Sequence, residues 1–323
     1  MNVCIYGAGA VGGHLAYRLA TATLAQVTVV ARGAHAEAMR ADGLVLRHPD
    51  GREGRALVTV AAAESGDGRQ DLVFVTLKTA AQAEHARQIA AWLAPHGRAV
   101  FVNNGIPWWW HAASALADKP LRALDPDNQL GRWVGSARSL GCVVYSQNEV
   151  VAPGVVQHLG GVRWILGAPD GSQPSALHEA TALLGQAGLT VERVSDLRQA
   201  VWLKLLRNLA LSPVAALIGQ DLAVVTRQPG LMRLAESIVR EVAQLAAALG
   251  WPDIEAAVPD ILSCLPVTGR PSMLQDRLAG RPLELAGQLL AVQELAASAA
   301  VAMPTLVTIT TLLTALESSA SDG

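Results

Sequence analysis

The sequence predicts an α/β domain with a largely parallel sheet over residues 1–194, followed by an all-helical domain over residues 195–323. Three observations predict it. At 323 residues the chain is longer than one typical core supports, since domains run to about 100–200 residues. Through the first half, apolar runs of strand length alternate with Ala-rich stretches of helical period, the signature of parallel strands joined by crossover helices. After Asp196 the pattern turns helical almost throughout. Two such domains also create a cleft, where small ligands are usually held.

The first strands are expected at residues 3–6, 27–30, 72–77 and 99–102. Between the first of them and a helical stretch at residues 14–20 stands Gly7-Ala8-Gly9-Ala10-Val11-Gly12. Strand, G-x-G-x-x-G, helix is the order of the dinucleotide-binding fingerprint, so the first domain reads as Rossmann-type. Gly7 permits the tight turn, Gly9 lets backbone approach a pyrophosphate, and Gly12 lets the helix pack on the strand. The helix N-terminus offers N–H groups and partial positive charge to the phosphates. From Gly141 onward, β-rich segments at residues 142–146, 155–159 and 162–166 are separated by Pro153-Gly154 and Gly160-Gly161 turns, and are expected to extend the sheet's edge antiparallel. A helix at residues 175–186 and a strand at 190–194 complete the domain.

The second half is punctuated at Ser212-Pro213, Gln228-Pro229-Gly230, Gly250-Trp251-Pro252, residues 266–271 and Gly280-Arg281-Pro282. Its longest apolar stretch, residues 295–316, is interrupted by Pro304 and diluted by Ala, Ser and Thr, which predicts buried core helices and no membrane span. Residues 317–323 read as a frayed end.

A net charge of -2 and a charged fraction of 16% exclude the basic field that nucleic acid or an anionic membrane would demand, leaving small molecules as partners. Cys4, Cys142 and Cys264 are odd in number and widely spaced, against a disulfide framework or a zinc cluster. With no signal peptide ahead of the first motif, a cytoplasmic protein is expected. The oligomeric state is left open, a homodimer included.

The strand at residues 27–30 runs into Ala31-Arg32-Gly33, where an NAD enzyme would place an acidic residue on the ribose 2′-hydroxyl. A guanidinium there matches a 2′-phosphate, so Arg32 points to NADP as cofactor; a solvated arginine at a strand end is the plainer alternative. Farther along, Lys204 and Asn208 stand four apart on a helix that opens behind Asp196, and so share one face. A cationic donor beside an amide can protonate and hold a carbonyl oxygen as hydride reaches its carbon.

Several separated motifs, in order, give the chain its resemblance to the ketopantoate (2-dehydropantoate) reductase family: Ile5-Tyr6-Gly7 to Gly13, Val75-Thr76-Leu77-Lys78, Asn104-Gly105-Ile106-Pro107, Ala152-Pro153-Gly154-Val155-Val156-Gln157-His158, Trp202-Leu203-Lys204-Leu205 with Asn208, and Ser272-Met273-Leu274-Gln275-Asp276 through Gly280-Arg281-Pro282-Leu283-Glu284. The resemblance implies reduction of a 2-oxo acid by NADPH. Lys204 would be the acid, giving a proton to the oxygen at C2 while nicotinamide delivers hydride to that carbon. It further implies substrate contacts from Asn208 and Ser272, Glu284 between cofactor and substrate, Asn104 beside both, and Lys78 and Ser146 near the cofactor; Ser212 is placed with the substrate residues.

Simpler roles exist for several of these. Ser272 and Gln275 form an S-x-x-Q capping box, and Glu284 follows Pro282 where a carboxylate complements a helix dipole. Ser212 before Pro213 reads as an N-cap. Trp108, Trp109 and Trp110 are consecutive and not expected to share one core, so at least one should face the cleft. His158 reads as structural. Two departures from the family pattern stand out: Ser212 replaces an asparagine before proline, and Leu285-Ala286-Gly287-Gln288 lacks the Asp and Asn that usually follow the glutamate. The β-hydroxyacid dehydrogenases also pair a Rossmann domain with a Lys and Asn four apart, but residues 272–284 argue against them. An NADPH-binding sensor without turnover is the non-enzymatic alternative.

Overall fold

The computed structural model describes residues 1–22, 25–112, 114, 116 and 119–321. Contacts divide the chain into two compact units: the first holds Met1–Asn103, Pro107–Pro120 and Asp125–Leu197, the second Asn104–Ile106, Leu121–Leu124 and Arg198–Gly323. Two short stretches from the middle of the α/β sequence thus belong with the helical unit.

In the first unit the elements run β1 (Asn2–Tyr6), α1 (Ala10–Thr21), β2 (Gln26–Val30), α2 (Gly33–Asp42), β3 (Leu44–Arg47), β4 (Glu53–Ala56), β5 (Thr59–Ala61), β6 (Gln70–Val75), α3 (Thr79–Gln82), α4 (Ala86–Trp92), β7 (Leu93–Val102), α5 (Gln129–Trp133), β8 (Ser139–Ala152), β9 (Val155–Gly167), α6 (Ser175–Gln186) and β10 (Thr190–Arg193). One sheet orders them β4-β3-β9-β8-β7-β6-β1-β2-β5, with β10 also on β9. Strand β1 is parallel to β2 on one side and β6 on the other, and is buried nearly end to end, as a central parallel strand must be. Because the chain leaves β1 toward β2 while β6 lies across it, the C-terminal end of β1 is a topological switch point, where such sheets bind ligands.

The β-rich segment departs from its sequence reading. Strands β8 and β9 form one long antiparallel hairpin, and Gly160-Gly161 is no turn: it lies inside β9, where the register against β8 slips between Tyr145 and Gln147. Gly160 and Gly161 have φ of 148° and 76°, and a Cβ on Gly161 would stand 2.6 Å from the Tyr145 carbonyl oxygen, so the pair makes a bulge. Nor is the hairpin the edge. The first half of β9 pairs with β3 at residues 155–157 and its second half with β10 at 163–166, and β4 closes that side of the sheet. The β3–β4 pair escaped the sequence because its strands are four residues each, with Arg47 and Glu53 opposite each other in a 2.6 Å ion pair.

Trp108, Trp109 and Trp110 are all buried. The segment turns at each residue, so the rings diverge: Trp108 meets Phe101 edge-on at 5.5 Å between centroids, and Trp109 lies where a Cβ on Gly141 would clash.

Helix α1 buries His14 completely, its ring stacked 4.4 Å from that of His158. Burial first, and then the positive charge of His158, Arg18 and His48, push His14 down to about 3. A histidine held neutral in the fold but free to charge when unfolded loses nothing above about pH 6.5 and destabilises the fold as pH drops below it. From pH 7 to pH 5 the loss from His14 is expected to be about 2 kcal/mol. Urea melts at the two pH values should show it, and His14→Phe should flatten the difference. An equal acid loss in both proteins would discount His14.

The second unit is helical: α7 (Leu197–Ile218, whose first residue closes the first unit), α8 (Leu222–Arg227), α9 (Pro229–Ala248), α10 (Pro252–Ala256), α11 (Val258–Ser263), α12 (Ser272–Leu278), α13 (Ala291–Ser298) and α14 (Pro304–Ser321). Ile238, Val239, Val242, Leu245 and Ala246 form the buried stripe of α9, against which α8, α10, α11, α13 and α14 pack. Ser212-Pro213 does not break the helix, because α7 continues through Pro213. Proline there only removes the N–H that would bond the Leu209 carbonyl. Among the described residues α7 alone is long and apolar enough to cross a membrane, and 67% of its most apolar window is buried within the protein. Glu317 is not frayed but lies within α14, its carboxylate accepting the Leu283 N–H at 2.6 Å.

Candidate active site

Two groups of candidate site residues stand in the fold, one in each unit. In the first, β1 ends at Tyr6 and the chain turns at Gly7, whose φ of 108° is open to glycine and costly to other residues. The loop is tied on both flanks: the Gly7 N–H donates to Val30 at 3.1 Å, and the Thr76 hydroxyl donates to the Gly7 carbonyl. Gly12 meets that same carbonyl and the Thr76 hydroxyl so closely that no Cβ fits. At Gly9 a Cβ would meet nothing within 4 Å, leaving open space beside the backbone at the N-terminus of α1. The first turn of α1 has no acidic residue and no side-chain cap. Open space, an uncapped helix start and no opposing charge fit a dinucleotide pyrophosphate at Gly7, Ala8, Gly9, Ala10, Val11 and Gly12.

Arg32 lies two residues past β2, as the N-cap residue of α2, and is exposed. Lys78 is half-buried three residues past β6, as the N-cap residue of α3. Ser146 lies in β8, its hydroxyl accepting the Asn148 side-chain amide at 2.9 Å; Asn148 in turn meets His158 at 2.8 Å. Sequence reasoning missed His35. Its Nδ1 accepts the Gly154 N–H at 2.8 Å, which leaves Nε2 as the donor to the Ala8 carbonyl, also at 2.8 Å. One neutral ring, its pKa lowered by burial, thus ties the glycine loop to the β8–β9 turn. No sequence signal marks it, since its partners lie 27 and 119 residues away.

In the second unit Lys204 Nζ donates to Asn104 Oδ1 at 2.6 Å, and Asn104 Nδ2 donates to Glu284 Oε2 at 3.2 Å. An ammonium only donates and a carboxylate only accepts, so the amide can stand only one way round. Lys204 and Asn208 are half-buried and Ser212 is buried, spaced four residues apart on one face of α7. Among the described residues no hydrogen bond joins Asn208, Ser212 or Ser272 to the Lys204–Asn104–Glu284 chain. Ser212 is an interior helix residue and not an N-cap. The capping box also fails: Pro271 occupies the cap position, Ser272 is an exposed first helical residue, and Gln275 Nε2 donates to the Arg270 carbonyl at 2.9 Å.

Glu284 leads into a single turn of π-helix, Ala286–Leu290, which runs on into α13. Gln288 in that turn is buried and sends Nε2 to Glu284 Oε2 at 3.4 Å. The sequence shows this residue only as part of a departure; its one signal is a spacing of four from Glu284.

The ketopantoate reductase PanE/ApbA profile matches residues 3–171, and the profile of the C-terminal part of the same proteins matches residues 196–317. The chain belongs to the ketopantoate reductase family. It is 37% identical to the 2-dehydropantoate 2-reductase of Mesorhizobium japonicum, over 91% of each chain. A solved structure from Ralstonia solanacearum MolK2 is 31% identical, with a TM-score of 0.88 over 99% of this chain and 98% of that one. The solved 2-dehydropantoate 2-reductase of Geobacter metallireducens GS-15 is 26% identical, with a TM-score of 0.85 over 98% and 100%. Ketopantoate reductases are oxidoreductases that reduce ketopantoate to pantoate with NADPH, a step of pantothenate biosynthesis. The Rossmann-type sheet and the helical second unit are the fold expected from the sequence.

Proposed function

We propose that this chain reduces a 2-oxo acid, ketopantoate foremost, with Lys204 as proton donor and Glu284 and Asn104 as the groups that fix it. The observation that carries the reading is the continuous chain from Lys204 through Asn104 to Glu284. NADPH, when bound, supplies the hydride. As the carbonyl carbon is reduced its oxygen gains negative charge, and the Lys204 ammonium neutralises it by giving up a proton. Asn104 aims that ammonium, and the Glu284 carboxylate behind the amide favours its charged form. Asn208 and Ser212, one and two turns on along the same face of α7, and Ser272 at the start of α12 are assigned to the substrate. The glycine loop with Lys78 and Ser146 is assigned to the cofactor, and Arg32 to its 2′-phosphate.

The test is a panel of 2-oxo acids, ketopantoate included, followed by NADPH and NADH absorbance. Ketopantoate should be reduced with NADPH preferred, and Arg32→Ala should weaken NADPH binding by about 1.5–3 kcal/mol while leaving NADH binding unchanged. NADPH binding without oxidation by any acid of the panel would make the protein a sensor. Equal use of both cofactors by the parent would remove Arg32 from the 2′-phosphate.

A further inference from the structure

Gln288 is 1% exposed, and a primary amide buried so deeply is costly unless it has polar work to do. Its Nε2 and the Asn104 Nδ2 donate to one and the same oxygen, Glu284 Oε2. The turn that carries it explains how both amides come to that oxygen. The Ala291 N–H reaches back five residues to the Ala286 carbonyl, a π-type bond that releases the Gly287 carbonyl from the helical ladder. The released carbonyl accepts the Ile106 N–H at 2.8 Å. Gly105, at φ 89°, lies so close that a Cβ there would stand 2.8 Å from the Gln288 backbone nitrogen. One turn therefore holds Asn104 through the backbone of its neighbours and Glu284 through the side chain of Gln288.

We infer that Gln288 is a positioning residue for the reduction: together with Asn104 it orients the Glu284 carboxylate and keeps it ionised opposite Lys204. The inference rests on the roles proposed above for Lys204 and Glu284. Two N–H donors on a carboxylate favour the anion over the acid and lower its pKa. The charged groups on the surrounding elements are Lys204 of α7, reached through Asn104; Glu317 of α14, which holds the Leu283 N–H; and Arg281, paired with Asp276 of α12 at 2.9 Å. Lys204 is joined to Glu284 through a single amide. Neither Asp nor Asn stands in the four residues after the glutamate in this chain, and Gln288 is the polar side chain among them.

The test reads Glu284 directly, by a 13C NMR titration of its carboxyl in the free protein, assigned with Glu284→Gln. Gln288→Leu should raise the Glu284 pKa by about one pH unit, and the acid limb of kcat/KM should move with it while NADPH affinity stays put. Gln288→Glu keeps the shape but sets a second carboxylate beside the first, and should raise the pKa further. It also carries the test if the leucine variant does not fold. In the Glu284→Gln background, Gln288→Leu should change kcat/KM by less than about twofold. An unmoved titration in folded variants, or an equal loss with and without Glu284, overturns the inference while leaving Lys204 and Glu284 in place. A Glu284→Gln enzyme with parental kcat overturns both.

Discussion

Lys204→Ala is expected to lower kcat on the best 2-oxo acid by about 10²- to 10⁴-fold, the usual worth of a positioned general acid, with NADPH affinity and melting temperature close to the parent's. The loss falls on kcat because the ammonium matters most where charge develops on the oxygen, and that charge exists only along the reaction. KM should change less. The variant leaves the Asn104 carbonyl without its 2.6 Å donor, so small amines such as methylammonium, supplied in the assay, should restore part of the rate. A Lys204→Ala enzyme within about threefold of the parent would mean that the proton comes from another group, and Glu284 would be the first to test.

Gly12→Ala is expected to weaken NADPH binding on the order of 100-fold and to lower the melting temperature as well. Its Cβ would collide with the Gly7 carbonyl oxygen and the Thr76 hydroxyl, the two atoms whose hydrogen bond ties the loop to the end of β6. Neither can move without opening the turn. Gly9→Ala is the companion experiment, because a Cβ at Gly9 meets nothing within 4 Å. That variant should keep the parent's melting temperature and lose NADPH affinity alone, since its methyl group would fill only the space assigned to the pyrophosphate. Parental NADPH affinity in Gly9→Ala would move the pyrophosphate elsewhere; an unperturbed melt of Gly12→Ala would contradict the packing described.

What the sequence disclosed followed from local rules. The glycine loop was legible because strand, turn and helix are adjacent in the chain, so Gly7, Gly9 and Gly12 could be given separate tasks from spacing alone. The pairing of Lys204 with Asn208 on one helical face was legible for the same reason. Asn104 lies 100 residues from Lys204, and only resemblance brought it forward. Local rules also misled where a larger context overrode them. Gly160-Gly161 has the composition of a turn but is a bulge held inside a hairpin by ten paired positions of β8 and β9. Pro213 has the look of a helix end, yet the flanking residues of α7 are buried on both sides of it, and that burial outweighs one missing hydrogen bond. The π turn at residues 286–290 has no pattern of its own, because what requires it is the Ile106 N–H, 181 residues earlier.

The assignment of Asn104–Ile106 and Leu121–Leu124 to the helical unit sets a rule for anyone exchanging parts between relatives. A gene fused at residue 197 would deliver α7 with Lys204 but take its asparagine from a different parent, grafted onto a Gly105 that must still fit against Gly287. The Arg122 and Ala123 N–H groups would likewise have to find Glu294, whose carboxylate accepts them at 2.8 and 2.9 Å. Chimeras that carry residues 104–106 and 121–124 along with the helices should express as folded, active hybrids more often than those cut once, so recombination libraries in this family call for discontinuous blocks.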